Sequence, residues 1–309
     1  MRILVTGASG FLGKALLPLL SKNNKVYALS RHPLEPSKNI IPLVGDVTKS
    51  HLGLDLVPEK IDRVYHLAAI HHLGKDKDGS IWETNTMGTR GVIAFCHRYG
   101  VSQLYFCSTA YTTGQGRNVY EKSKVWCDEL VRVSGIPHVV TLKPSVVMGT
   151  KENPYPGHFS QFVTLLVRAH NRAELIRRKV EGTLRLPVIE PVLRVTGAPD
   201  GYLNLVTVDE VAKGIARTRK PGVYWLTNPH PPTLGQLAKW ISEVIMVRFE
   251  FIAGGFNSSP IESLIAHKVS AFSPYLWGDS FPSDLKGHPL ITREFIHETI
   301  INSLTIDKK

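Results

Sequence analysis

The 309-residue chain is 43% hydrophobic and 20% charged, a globular composition that excludes fibrous, collagenous and largely disordered classes. Lysine and arginine outnumber aspartate and glutamate by 37 to 26, a formal charge of +11, which favours anionic partners but gives no sign of a nucleic-acid partner. No apolar run approaches the ~20 residues of a membrane span, and Cys96, Cys107 and Cys127 have neither disulfide nor metal-ligand spacing.

Met1-Arg2 runs directly into a strand without a secretory-signal pattern, so a structural N-terminus and a cytoplasmic protein are expected. Up to residue 150, β-branched runs alternate with helical patterns. Strands are predicted at Arg2–Thr6, Lys25–Leu29, Ile40–Val44, Arg63–Leu67, Gln103–Cys107 and His138–Leu142. The clearest helices are Phe11–Ser21, Trp82–Tyr99 and Tyr120–Val133. This alternation predicts an α/β fold, a doubly wound parallel sheet of Rossmann type. Past Pro154 the alternation fails and prolines punctuate short elements, which predicts a smaller C-terminal lobe. Leu203–Val208 and Val223–Leu226 are strand-like, so the chain is expected to return to the sheet. The predicted division is 1–149 with 203–227 for the larger domain and 150–202 with 228–309 for the smaller lobe. Arg168, Arg172, Arg177, Arg178, Lys179 and Arg185 crowd one helical stretch, read first as a solvated face and second as a phosphate-binding patch.

Thr6-Gly7-Ala8-Ser9-Gly10-Phe11-Leu12-Gly13 follows the first strand and opens the first helix. A dinucleotide pyrophosphate needs this arrangement: Gly7 for the tight turn, Gly10 for close backbone approach, Gly13 for helix packing, and free helix N–H groups for the charge. The larger domain is therefore expected to bind a dinucleotide, and the smaller lobe a substrate.

With its Gly-x-x-Gly-x-x-Gly spacing, the sequence resembles the extended branch of the short-chain dehydrogenase/reductase superfamily. Further segments carry the resemblance in the same order: Asp46-Val47, His66-Leu67-Ala68-Ala69, Asn85-Thr86-Met87-Gly88-Thr89, and Lys143-Pro144-Ser145-Val146-Val147-Met148-Gly149, which stands where the branch has Arg-Pro-x-x-Val-Tyr-Gly. The resemblance implies cofactor contacts from Gly7, Ser9, Gly10, Phe11, Leu12, Gly13, Asp46, Val47, Leu67, Ala68, Ala69, Asn85, Pro144 and Val147.

Its catalytic part is Tyr120-Glu121-Lys122-Ser123-Lys124. Positions i and i+4 share a helix face, so Tyr120 and Lys124 can act on one ligand, and the lysine ammonium is expected to favour the phenolate. The resemblance also gives both residues to the cofactor. In Cys107-Ser108-Thr109-Ala110-Tyr111 it places the catalytic hydroxyl at Thr109, with Ser108 the alternative. Only ten residues separate Thr109 from Tyr120, a shorter loop than sugar-nucleotide enzymes of the branch carry. At the end of the second strand Arg31 stands where a carboxylate would select NAD, so NADP is expected, with NADPH preferred over NADH.

Within the branch, Ser108–Tyr111, Pro199–Asp209 and Val223–Pro229 look most like the thioester-reductase and fatty acyl-CoA reductase group. Phe272–Trp277 reads either as the lining of an acyl channel or as a core aromatic cluster. His71-His72 reads as an exposed loop pair without a metal site. The expectation is an NADP-dependent oxidoreductase acting on a small-molecule carbonyl or an acyl thioester, with Tyr120 as proton donor. The alternatives are a sugar-nucleotide epimerase or dehydratase that retains its cofactor, and a non-catalytic NADP-sensing protein. The resemblance leaves room for a homodimer built on Trp82–Tyr99 and Tyr120–Val133.

Overall fold

A computed structural model of the chain describes residues 1–54, 60–154, 157–184, 192–245 and 248–306. Its elements in chain order are β1 (Arg2–Thr6), α1 (Phe11–Ser21), β2 (Lys25–Ser30), β3 (Ile40–Val44), β4 (Arg63–His66), α2 (Ser80–Arg98), β5 (Gln103–Cys107), α3 (Val119–Arg132), β6 (His138–Pro144) and β7 (Val146–Met148). There follow α4 (His158–Leu184), β8 (Leu193–Thr196), β9 (Leu205–Thr207), α5 (Val208–Arg217), β10 (Gly222–Leu226), α6 (Leu234–Ile245), β11 (Phe249–Ile252), α7 (Pro260–Lys268) and α8 (Arg293–Ile306). None of the helices among the described residues is long and apolar enough to cross a membrane.

The chain divides into two compact units, the first comprising Met1–Val147, Val206–Pro229 and Phe281–His288. Its seven-stranded sheet has the order β10-β6-β5-β4-β1-β2-β3, every pairing parallel. Parallel strands need helical crossovers, so both faces are covered and the strands read as near-continuous apolar runs. One face buries Ile3, Val5, Tyr65, Tyr105, Val140 and Leu142 with apolar residues of α1 and α5. On the other, Leu4, Val64, Leu104 and Phe106 pack with Val92, Phe95, Cys127 and Val131 of α2 and α3. Strand order reverses between β1 and β4, the switch point at which such sheets bind ligands beyond their carboxyl ends.

Two expectations about the sheet need correction. Val223–Leu226 does return to it, as β10 beside β6, but Leu203–Val208 yields only the three-residue β9, which pairs with β7 in a separate two-stranded sheet. Phe281–His288, assigned from sequence to the smaller lobe, belongs to the first unit: Leu285 enters the α1/α5 core, and the Asp284 carboxylate accepts the Trp225 N–H of β10 at 2.7 Å.

The second unit comprises Met148–Leu205, His230–Ser280 and Pro289–Lys309. There β8 and β11 pair in parallel. Phe162 of α4 stacks on Phe251 at 6.4 Å and meets Phe272 edge-on at 5.7 Å, so Phe272 joins an aromatic core, while Trp277 is exposed. Of the basic stretch, Arg185 lies outside the described residues. Arg194 of β8 donates to both carboxylate oxygens of Glu262, which forms the capping box of α7 with Ser259. The Arg194 guanidinium, opposed by burial and aided by Ser259, holds the Glu262 carboxyl down at about 2. A depressed folded-state value stabilises above the ordinary 4.5 and is lost as pH falls toward 2. Glu262→Gln should therefore lower the melting temperature by a few degrees at neutral pH and flatten the acid dependence between those values. A variant melting with the parent's full acid dependence would count against this assignment.

Candidate active site

The glycine-rich turn after β1 faces the segment after β4. Gly7 has φ +71°, and a Cβ there would lie 2.6 Å from the Ala68 nitrogen; one on Gly13 would lie 2.4 Å from the Gly7 carbonyl oxygen. The turn thus presses against Leu67–Ala68, and α1 against the turn, with no room for side chains. Gly10 is the extended N-cap residue of α1 and no side chain caps the helix. Ser9 and Gly10 are exposed, and Phe11 and Leu12 half-buried. An uncapped helix end over a turn with glycine at 7 and 10, at the switch point, fits a dinucleotide pyrophosphate.

A directional hydrogen-bond chain holds the β4 side of this cradle. The Thr89 hydroxyl donates to the Asn85 carbonyl at 2.7 Å, so it accepts from His66 Nε2–H at 3.2 Å. His66 Nδ1 then accepts from Thr6 Oγ1 at 2.8 Å, and Thr6 Oγ1 accepts the Ala68 N–H at 3.4 Å. Burial, followed by the Lys124 charge, pushes His66 down to about 3, so the ring is neutral as this assignment requires. The Asn85 side chain, 1% exposed, accepts Ile70 N–H and donates to the Ile70 carbonyl and to Ser123 Oγ, tying α2 to the β4 end and to α3. Thr6, His66 and Thr89 fall in three separate motifs, and their bonding to one another across those motifs is not readable from any one of them, although Thr89 lies one turn from Asn85 on the same helix face.

Arg31 is exposed beyond the end of β2. The β2–β3 register pairs Ser30 with Val44, which brings Asp46 into its neighbourhood. Burial raises the Asp46 carboxyl, but bonds from the Thr48 N–H and hydroxyl and the Arg31 and Lys49 charges outweigh it and leave it lowered. Arg31 thus has an acidic neighbour that a search along the second strand alone does not reveal. Val47 and Pro144 are buried, and Ala69 and Val147 half-buried.

Beyond the carboxyl end of β5 the structure brings the Thr109 hydroxyl near enough to the Tyr120 phenol to act on its titration. Ser108, the alternative hydroxyl, is 2% exposed, and its Oγ has no hydrogen-bond partner among the described residues. Asn118 caps α3 by accepting Glu121 N–H at 2.9 Å, and so starts the helix that carries Tyr120 and Lys124. Glu121, 1% exposed, pairs with Arg117 at 3.0 Å. Lys124 corrects one expectation. Its Nζ donates to the Cys107 carbonyl at 2.8 Å and lies 5.0 Å from the Phe106 ring centroid. The end of β5 leaves that carbonyl to a side-chain donor, and the ammonium satisfies it. Burial dominates at Tyr120 and raises its phenol above the ordinary value, with Cys107 next and the Thr109 hydroxyl opposing. The side chain is therefore a protonated phenol.

His71 and His72 are both exposed as residues. Desolvation, then the Lys124 and His72 charges, nevertheless lowers His71.

The family model described as "NAD dependent epimerase/dehydratase family" matches residues 3–185, more than half of the chain. Over 124 residues the chain is 32% identical to a 2-alkyl-3-oxoalkanoate reductase of Stenotrophomonas maltophilia, covering 39% of this chain and 37% of that protein. It is 27% identical to a UDP-glucose 4-epimerase of Azospirillum brasilense, covering 57% and 58% respectively. Among solved structures, the thiolation-reductase di-domain of an archaeal non-ribosomal peptide synthetase superposes with a TM-score of 0.69 at 16% identity, over 99% of this chain and 90% of that one. MoeE5 with UDP-glucose and NAD superposes with a TM-score of 0.66 at 19% identity over the whole of both chains. At such identities the superpositions establish the fold alone. The glycine cradle, the parallel sheet and the match over residues 3–185 make this chain a member of the NAD dependent epimerase/dehydratase family, within the extended short-chain dehydrogenase/reductases.

Proposed function

We propose that the protein is an NADP-dependent reductase of a carbonyl or acyl-thioester substrate, with Tyr120 as proton donor. The observation that carries this reading is the protonated Tyr120 phenol, buried beyond β5 with the Thr109 hydroxyl acting on it. A bound dihydronicotinamide supplies a hydride for the substrate carbon. Tyr120 gives its phenolic proton to the substrate oxygen, and the Thr109 hydroxyl donates a hydrogen bond to the same oxygen as charge develops. Lys124 offers a cation one turn along α3, in reach of cofactor ribose hydroxyls. Gly7, Gly10 and Gly13 admit the pyrophosphate, Asp46 and Val47 border the adenine, and Asn85 holds the segment beside the nicotinamide.

The likeness to a 2-alkyl-3-oxoalkanoate reductase supports reduction of an oxo group. The short Thr109-to-Tyr120 loop leaves little chain for contacts to a sugar. The test is NADPH absorbance across a panel of ketones, aldehydes and coenzyme A thioesters, with UDP-glucose followed separately by product analysis. Consumption of NADPH by one of the first three classes is expected. Conversion of UDP-glucose without net NADPH consumption would instead assign an epimerase.

For the cofactor, Arg31 is placed to meet the 2′-phosphate of NADP. Its neighbour Asp46 reduces but does not cancel this preference, because the carboxylate is already engaged by Thr48. Arg31→Ala should weaken NADPH binding by about tenfold or more and leave NADH nearly unchanged. Equal affinities of the parent protein for both cofactors would refute the preference.

A further inference from the structure

Lys143, near the carboxyl end of β6, reaches two neighbouring elements at once. Its Nζ lies 2.9 Å from Asp128 Oδ2 of α3 and donates to Thr112 Oγ1 at 2.6 Å. The Thr112 hydroxyl in turn donates to the Thr109 carbonyl at 3.2 Å. The ammonium also lies 5.3 Å from the centroid of the Trp225 ring on β10. The ion pair is largely withdrawn from water, with side-chain exposures of 14% for Lys143 and 19% for Asp128. Asp128 Oδ1 is buried without a partner among the described residues, so the carboxylate depends on Lys143. On α3, Tyr120, Lys124 and Asp128 follow at intervals of four, along one helical stripe.

We infer that Lys143 is a positioning residue, a strut from β6 that joins the Thr109 segment to the Tyr120 helix through Thr112 and Asp128. Two of its contacts end on the two elements whose side chains must meet. Thr109 is separately tied to β6, where the Pro144 carbonyl accepts the Ala110 N–H at 2.8 Å and the Thr109 hydroxyl at 3.4 Å. The strut completes this triangle on the α3 side. It also sets charge at the site. Besides burial, the groups acting on the Tyr120 phenol are Cys107 from β5, Thr109 beyond its end, and Glu121 and Asp128 from α3. Glu121 is paired with Arg117, and Asp128 with Lys143. Removing Lys143 leaves an unbalanced carboxylate near the phenol; removing the Asp128 charge leaves an unbalanced ammonium.

This inference rests on the assignment of Tyr120 as proton donor, and its test does not depend on the substrate. Tyrosine labelled with 13C at Cζ reports phenol ionisation by NMR, and the Tyr120 signal is identified by its loss in Tyr120→Phe. Lys143→Met should raise the Tyr120 titration midpoint and Asp128→Asn should lower it, each by on the order of half a pH unit or more. Lys143→Arg, which keeps the charge and can span both partners, should stay near the parent. With any substrate that consumes NADPH, Lys143→Met should reduce kcat by about tenfold or more, with a smaller change in KM and in NADPH affinity. A purely structural role would move Lys143→Met and Asp128→Asn in the same direction. Shifts of the same sign, no shift in either, or an Arg variant as impaired as Met would overturn the strut. Should Lys143→Met fail to fold, the near-isosteric Asp128→Asn and the Lys143→Arg comparison still decide. Failure of the panel to reveal a reductase would leave the NMR outcome readable.

Discussion

Tyr120→Phe should reduce turnover by about 10²- to 10⁴-fold while NADPH affinity stays within about threefold of the parent. The substitution keeps the aromatic ring and deletes the one oxygen that carries the transferable proton. Two neighbours have other bonds: Lys124 donates to the Cys107 carbonyl, and Glu121 pairs with Arg117. Because burial raises the phenol, the acid form needed for carbonyl reduction persists through neutral and mildly alkaline pH. The reductive kcat should therefore be level there and decline only as pH rises beyond the ordinary tyrosine range near ~10. Thr109→Ala should have a smaller effect, about 10- to 100-fold, since it removes a hydrogen bond and leaves the proton in place. A Tyr120→Phe enzyme retaining more than about a tenth of the parental kcat would exclude Tyr120 as the donor.

Such a sharp expectation for Tyr120 is available because the relevant signals are local in sequence. Buried parallel strands are apolar runs, and β1, β3 and β5 occupy the predicted spans, while β2, β4 and β6 differ by one or two residues at their ends. The glycine turn and the Tyr-x-x-x-Lys spacing are likewise patterns within a single strand-turn-helix or a single helix. What escaped notice depends on register or on distant chain. Ser108 and Thr109 are adjacent hydroxyls that residue type alone does not separate; the resemblance selects Thr109, and only the structure shows that Ser108 Oγ is buried without a partner among the described residues. Arg31 acquires Asp46 as a neighbour through the pairing of β2 with β3, fifteen positions along the chain. Phe281–His288 joins the first unit through Asp284 and Leu285, and neither residue announces its partner by type or spacing. Lys124 illustrates a subtler limit. Its spacing from Tyr120 places both on one helix face, yet its bond to the Cys107 carbonyl of β5 is one that helix periodicity could not reveal.

The glycine cradle offers the second large effect, and a pair of substitutions separates its structural part from its ligand part. Gly7→Ala must place a Cβ 2.6 Å from the Ala68 nitrogen and 2.8 Å from its Cα, at a backbone φ of +71°. The left-handed conformation alone costs a non-glycine residue about 1–2 kcal/mol, and the clash adds to it because Ala68 is held by Thr6 and its His66 chain. Gly10 differs: its φ is −71°, and an added Cβ would approach only the Gly7 carbonyl oxygen, at 3.1 Å. Gly7→Ala should therefore lower the melting temperature by about 5 °C or more and weaken NADPH binding by at least about 100-fold. Gly10→Ala should melt close to the parent and yet lose about tenfold or more in NADPH affinity, since its methyl group occupies the space the pyrophosphate needs at the α1 N-terminus. Thermal melting with and without a fixed excess of NADPH measures both quantities in one experiment, because ligand binding to the folded state raises the midpoint by an amount that grows with the logarithm of the remaining affinity. A Gly10→Ala protein stabilised by NADPH as strongly as the parent would show that the pyrophosphate does not lie over this turn. A Gly7→Ala protein melting at the parental temperature would show that the turn does not press on Ala68.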